Sequence, residues 1–222
     1  MADRPLDVVA FDVNETLFDI AGLAPRFAKA GLDESLVPLW FARVLRDGFA
    51  LTVLGNYRPF PELGAAALRN LGPDLSEDAV QQVLAGFAEL DPHPDVEPAL
   101  RALADAGVRA VTLTNGSAAN TRTLLDRAGL LPLVADTLSV DAVQRWKPAP
   151  EPYRYAASEC GVEPGRLALV ACHAWDVHGA RVAGLRTGYV RRAGEPVYPT
   201  TFSPAEVHGE DLTQTVRGLL AG

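Results

Sequence analysis

The chain has 222 residues, which exceeds one average domain but is short for two full ones, and 48% of its residues are hydrophobic. That suits one core domain carrying an insert. A formal net charge of -8 argues against a nucleic-acid or anionic-membrane surface, since phosphate backbones and acidic headgroups select clustered Lys and Arg. The sequence has no signal-like N-terminus and no apolar stretch approaching the roughly 18 residues needed to span a bilayer, so the expectation is a cytoplasmic protein acting on a small molecule. Two cysteines, Cys160 and Cys172, make no disulfide framework and read as reduced thiols.

In chain order, short apolar runs rich in β-branched residues lie at Leu6 to Val13, Arg109 to Thr114, Leu167 to Cys172 and Thr187 to Val190, with a weaker one at Thr137 to Val140. They read as buried parallel strands. Helical spacing covers Val96 to Ala106, Ala118 to Ala128, Glu151 to Cys160 and Val177 to Ala183, each followed directly by Gly, the expected helix stop. Strands alternating with single helices predict an α/β, doubly wound parallel sheet with ligands at the carboxyl ends of its strands. The stretch from Phe18 to Pro94 breaks this rhythm, with several helical patterns and no convincing strand. It reads as a helical cap inserted after the first strand, with hinges near Asp19 to Ala24 and Leu90 to Asp95, between core segments 1–17 and 95–222. A Pro-rich loop from Ala193 and a last helix from about Leu212 close the chain.

Candidate chemistry sits where strands end. Asp12, in Phe11-Asp12-Val13-Asn14-Glu15-Thr16-Leu17, stands at the end of the first strand, where a carboxylate can face a substrate or simply serve a polar turn. After the second strand, Thr114-Asn115-Gly116-Ser117 places polar groups at a helix start, suited to an anion or to plain N-capping. Lys147 is one of only two lysines, the other being Lys29, among 20 basic side chains, and Pro148-Ala149-Pro150 stiffens the backbone behind it. A compact ammonium beside a carboxylate keeps it ionised, although an exposed loop lysine has the same look in sequence. After the fourth strand, His173-Ala174-Trp175-Asp176 opens a helix, where Asp176 reads as an acid or a helix cap and His173 and Trp175 as packing or binding residues. His93, His178 and His208 have no partner spacing and read as surface residues.

Together and in this order, the clusters around Asp12, Thr114, Lys147 and Asp176 resemble the four motifs of the haloacid dehalogenase superfamily, over nearly the whole chain. The resemblance implies a Rossmann-like core with a helical cap. It also implies catalytic roles for Asp12 as nucleophile, Lys147 as charge partner, Asp176 as the acid near the hydrolytic water, and Thr16. Asn14, Thr114, Asn115, His173 and Trp175 would bind substrate or leaving group.

Phosphatases of this superfamily carry a second Asp two residues after the nucleophile, where this chain has Asn14, and a magnesium-binding Asp five residues before the position of Asp176, where it has Ala171. An amide cannot shuttle a proton to a phosphate-ester leaving group, and Mg²⁺ depends on carboxylates. Halide needs no proton to leave. The expectation is therefore an L-2-haloacid dehalogenase type of enzyme, needing no cofactor and acting on a small 2-haloalkanoic acid or related carboxylate. The alternatives are a phosphatase of a small phosphorylated metabolite, which would use Mg²⁺, and a non-catalytic binding protein. Phe41 stands where such dehalogenases resemble one another in a cap arginine, which leaves Arg43 and Arg46 as substitutes, and His173 stands where they carry Asn. No nucleic-acid or membrane partner is expected; a homodimer is allowed.

Overall fold

The computed structural model describes residues 6–192 and 197–222. β1 (Val8–Phe11) is fully buried, and the chain then leaves the sheet for four helices: α1 (Ala24–Lys29), α2 (Val37–Val53), α3 (Phe60–Leu71) and α4 (Glu77–Ala85). It returns through α5 (Val96–Asp105), β2 (Arg109–Thr114), α6 (Ala118–Arg127), β3 (Asp136–Ser139), α7 (Pro150–Cys160), β4 (Leu167–Ala171), α8 (Ala174–Val182) and β5 (Arg186–Val190). The three-residue β6 (Val207–Gly209) and α9 (Leu212–Ala221) complete it. The Pro-rich loop expected from Ala193 falls partly on residues 193–196, outside the described residues.

All six strands pair in parallel in the order β3-β2-β1-β4-β5-β6, so the chain winds one way from β1 and then crosses back to the other side. This is the α/β doubly wound sheet expected, with the crevice where the winding direction reverses, at the carboxyl ends of β1 and its neighbours. β6 is absent from the expectation because Val-His-Gly is too short to carry a period. It forms because β5 offers an open edge and α9 covers the result.

The helical stretch enters and leaves at one place. Phe18 bridges both Asn14 and Pro92, Asp19 N–H donates to the Asp91 carbonyl at 3.2 Å, and His93 N–H donates to the Leu17 carbonyl at 2.9 Å. The two crossings thus pair at Leu17 to Asp19 and Asp91 to His93, and Asp19 then caps a turn of 3₁₀ helix over Ile20–Leu23. Trp40 anchors the interior of the insert. Its indole N–H donates to the Gly64 carbonyl at 3.0 Å, and its ring meets Phe27 and Phe60 edge-on. This aromatic group is continuous with the apolar side chains on one face of the sheet, including Val9, Phe11 and Val170. A separate apolar cluster, with Tyr153, Leu169 and Val177, fills the other face under α7 and α8.

Of the membrane question, the structure says that no helix among the described residues is long and apolar enough to cross a bilayer.

Close approach of α8 to the Lys147 loop requires Gly179, where a Cβ would stand 2.6 Å from Pro148 Cβ and 2.7 Å from the Tyr153 hydroxyl. Gly179→Ala gains about 1 kcal/mol of helix propensity but overpacks a rigid contact at a cost of about 1–3 kcal/mol. Urea unfolding should therefore show net destabilisation; a more stable variant would mean the contact has slack.

Candidate active site

Asp12 follows β1 directly, and its N–H extends the ladder by donating to the Val170 carbonyl on β4 at 3.0 Å. The carboxylate is thereby delivered to the carboxyl end of the sheet, 5% exposed. The turn after it folds back on itself, with Leu17 and Phe18 N–H both donating to the Val13 carbonyl. Glu15 in this turn takes a left-handed φ of 63°, an unusual conformation for a residue with a side chain. Thr16 ties the turn to β4: its hydroxyl donates to Asp12 Oδ2 at 2.9 Å and accepts from the Cys172 N–H at 3.1 Å.

Lys147 is completely buried. An ammonium has three N–H donors, and here each has an acceptor: Asp12 Oδ1 at 2.9 Å, Asp176 Oδ2 at 2.5 Å and the Leu113 carbonyl at 2.8 Å. Arginine could not satisfy this tripod with a planar fork. The loop that carries the lysine is held on both sides. Asn115 Oδ1 accepts from Lys147 N–H at 2.9 Å, while the Trp146 N–H donates to the Thr52 hydroxyl and its indole N–H to the Arg58 carbonyl, both from the insert. Asp176, in the first turn of α8, is wholly buried; its second oxygen accepts from the Tyr153 hydroxyl at 2.6 Å.

His173 closes the group. Its Nδ1 lies 3.1 Å from Asp12 Oδ2 and its Nε2 2.7 Å from Glu15 Oε2, while its ring stacks on Trp175 and meets Phe41. Burial pushes the Asp12 carboxyl up, but the Lys147 charge and the His173 and Lys147 hydrogen bonds outweigh it and hold the group well below the usual carboxylate range. Burial opposes a charge on Lys147 too, and the two carboxylates overcome it, so its value is raised. For His173, burial is outweighed by Cys172, Asp12 and Glu15, which lift the imidazole well above its ordinary value. Burial is also the largest influence on Asp176, and together with the Asp12 charge it raises this carboxyl against the opposing pull of Lys147.

Beside this cluster a cavity of about 240 Å³ opens between the insert and α6, lined by Asn14, Thr114, Gly116, Ser117, Asn120 and Thr121 on the sheet side and by Phe60, Pro61, Leu84 and Phe87 from the insert. It is small, and none of its lining side chains carries a charge.

The structure thus gathers Asp12, Asn14, Thr16, Thr114, Lys147, His173, Trp175 and Asp176 at one end of the sheet. Asn115 is adjacent but spends its amide on the Lys147 backbone instead of facing the cavity. Neither Arg43 nor Arg46, expected as substrate-binding residues, lines this cavity. The buried face of α2 is Val37, Trp40, Phe41, Val44 and Gly48, and at 3.6 residues per turn Arg46 lies about 180° and Arg43 about 120° from its centre. Arg46 instead pairs with Asp47 in solvent. His93 and His178, expected at the surface, are half-buried: His93 Nε2 contacts the Glu15 carbonyl at 3.0 Å, and His178 Nδ1 accepts from Ser203 N–H at 3.1 Å. Glu15 and Tyr153 were missed by sequence reasoning. Glu15 looks like any turn residue, and Tyr153 is one apolar position of α7 whose hydroxyl target lies on another helix.

A buried carboxylate paired with an ammonium at the carboxyl end of a doubly wound sheet is an arrangement suited to hydrolytic chemistry on a small molecule. The model of the haloacid dehalogenase-like hydrolases matches residues 6–184, and the chain belongs to that family of enzymes. (S)-2-haloacid dehalogenase 1 of Pseudomonas sp. (strain CBS-3) is 30% identical over 97% of this chain and 97% of its own length. The crystal structure of an L-2-haloacid dehalogenase superposes with a TM-score of 0.90 at 28% identity, covering 99% of this chain and 100% of that one. The L-2-haloacid dehalogenase from Xanthobacter autotrophicus with chloropropionic acid covalently bound shares the fold, with a TM-score of 0.88 at 24% identity over 98% and 99% of the two chains.

The imidazole–carboxylate contacts exist only in the folded chain, so they contribute stability fully below the ordinary histidine value of 6.5 and lose it as pH rises through the raised folded value. The stability advantage of the wild type over His173→Gln should therefore be full below the ordinary histidine value of 6.5 and shrink as pH rises above it. Urea unfolding at several pH values measures it; an advantage that grows with pH would mean a neutral ring.

Proposed function

We propose that this protein removes halide from a small 2-haloalkanoic acid or related carboxylate by metal-independent hydrolysis through an Asp12 ester. The observation that carries this reading is Asp12 itself, buried yet ionised against Lys147, with Asn14 and Ala171 where phosphatase chemistry needs an acid and a metal carboxylate. The relatives' names support it, and they do not favour the phosphatase alternative.

In the first step an Asp12 oxygen attacks the carbon bearing the halogen, the carbon–halogen bond breaks and halide departs with its electron pair. Water then attacks the Asp12 carboxyl carbon, releasing the 2-hydroxy acid. Carbon is displaced once, so configuration inverts. Thr16 and Lys147 hold the carboxylate in orientation, and the uncharged, partly aromatic cavity lies beside the reacting centre. With no arginine in the cavity lining, a substrate carboxylate is left to the amides and hydroxyls at the start of α6. Helices α1 to α4 serve as the cap. Magnesium does not suit this donor set, because Asp12 and Asp176 share an ammonium that already offsets their charge. The same reading puts the enzyme in the cytoplasm, with its thiols reduced.

A panel of 2-haloacids and phosphate esters, assayed with and without chelator, is the direct test, with halide and phosphate as readouts. Halide release should resist chelator, and Asp12→Asn should lose at least a hundredfold in turnover with an unchanged fold. In a single turnover in heavy-oxygen water, the Asp12 peptide should gain one labelled oxygen. A strict Mg²⁺ requirement with phosphate release would reject the reading.

Because both side chains lie outside the cavity, Arg43→Ala and Arg46→Ala should each leave KM for the haloacid within about twofold, where loss of a charge-assisted pair would raise it tenfold or more. A large KM rise in either variant would mean that α2 turns on binding.

A further inference from the structure

We infer that His173, oriented by Glu15, is the base that activates water for hydrolysis of the Asp12 ester. The inference rests on the covalent route proposed above. It concerns the second step only.

Two carboxylates and one imidazole stand near the Asp12 carboxyl group, and geometry separates them. Asp176, the acid expected near the hydrolytic water, is wholly buried with one oxygen on Lys147 and the other on Tyr153, so neither is open to a water. His173 Nδ1, by contrast, lies 3.1 Å from Asp12 Oδ2. Its other nitrogen is committed to Glu15 Oε2 at 2.7 Å, and Glu15 is in turn held by the His93 contact to its carbonyl and by its own N–H on the Phe18 carbonyl. A carboxylate–imidazole pair aimed at a reacting carboxyl group is the arrangement of a general base with its orienting partner.

The charges around the ring make the role conditional on the intermediate. The groups facing His173 are Asp12, Glu15 and the Cys172 thiol, with the rings of Phe41 and Trp175 beside it and Lys147 beyond Asp12. In the resting enzyme Cys172 and the hydrogen bonds to Asp12 and Glu15 outweigh burial and raise the imidazole well above its ordinary value, which favours the protonated ring, a form with no lone pair to act as a base. Alkylation cancels the charge of Asp12, and the ring releases its Nδ1 proton to solvent while Glu15 retains the one on Nε2. Nδ1 is then a bare lone pair facing the ester. A water gives one proton to Nδ1 as its oxygen bonds to the Asp12 carboxyl carbon and the carbonyl electrons move onto oxygen. Collapse breaks the bond from that carbon to the substrate oxygen, and the departing alkoxide takes the proton from Nδ1. The Asp12 carboxylic acid returns its proton to the imidazole, restoring the resting pair. The net products are a 2-hydroxy acid, halide and one proton.

The experiment uses His173→Ala and Glu15→Gln in the full chain, mixed with a 2-haloacid that the wild type turns over. Released halide and the mass of the quenched protein are followed, with circular dichroism as the control for folding. His173→Ala should release about one halide per protein in a burst and then slow by about a hundredfold or more. The Asp12 peptide should retain the added substrate mass. Imidazole in the buffer should restore hydrolysis to His173→Ala, a response that a merely structural histidine would not show, and Glu15→Gln should fall between the two. Hydrolysis at the wild-type rate in His173→Ala, or loss of the halide burst in a folded variant, overturns the inference while the dehalogenase reading stands. If the wild type releases halide from no 2-haloacid, that reading fails and the inference goes with it.

Discussion

Everything at the carboxyl end of this sheet is arranged around one buried ammonium. Lys147 has no exposure to solvent, and an uncompensated charge there would cost several kcal/mol, so its three donors must all be met. They are met by the loop after β1, by the carbonyl of Leu113 on β2 and by the first turn of α8. One side chain thus staples three segments far apart in sequence. Asp12 and Asp176, which would repel one another at this range, are held in one crevice only because Lys147 lies between them.

The supports of Lys147 tie the helical insert to the sheet. Trp146 stacks on Phe60 of α3, and its two N–H groups bond to Thr52 and Arg58. The residue next to the ammonium is therefore seated in the insert, and the ammonium in the core. The apolar side chains of both run together without a break. Phe41 occupies the inward face of α2 and meets the ring of His173, so the insert presents an aromatic surface to the reacting group.

The sequence alone determined the parallel, alternating architecture, because buried strands must be short apolar runs and each helix must stop before the next strand. Glycines at 107, 129, 161 and 184 mark those stops with left-handed φ values that other residues resist. It also placed Asp12, Thr16, Thr114, Lys147, His173 and Asp176 at strand ends and helix starts, since position along an element is local information. Pairing across elements is not. Only the tertiary structure decided that Glu15 meets His173, that Tyr153 meets Asp176, that Asn115 clamps a backbone and that neither Arg43 nor Arg46 lines the cavity. Each of these depends on how one element is rotated against another, and that rotation is set by the packing of Trp40, Trp146 and the closeness of Gly179 to Pro148, which no local pattern carries.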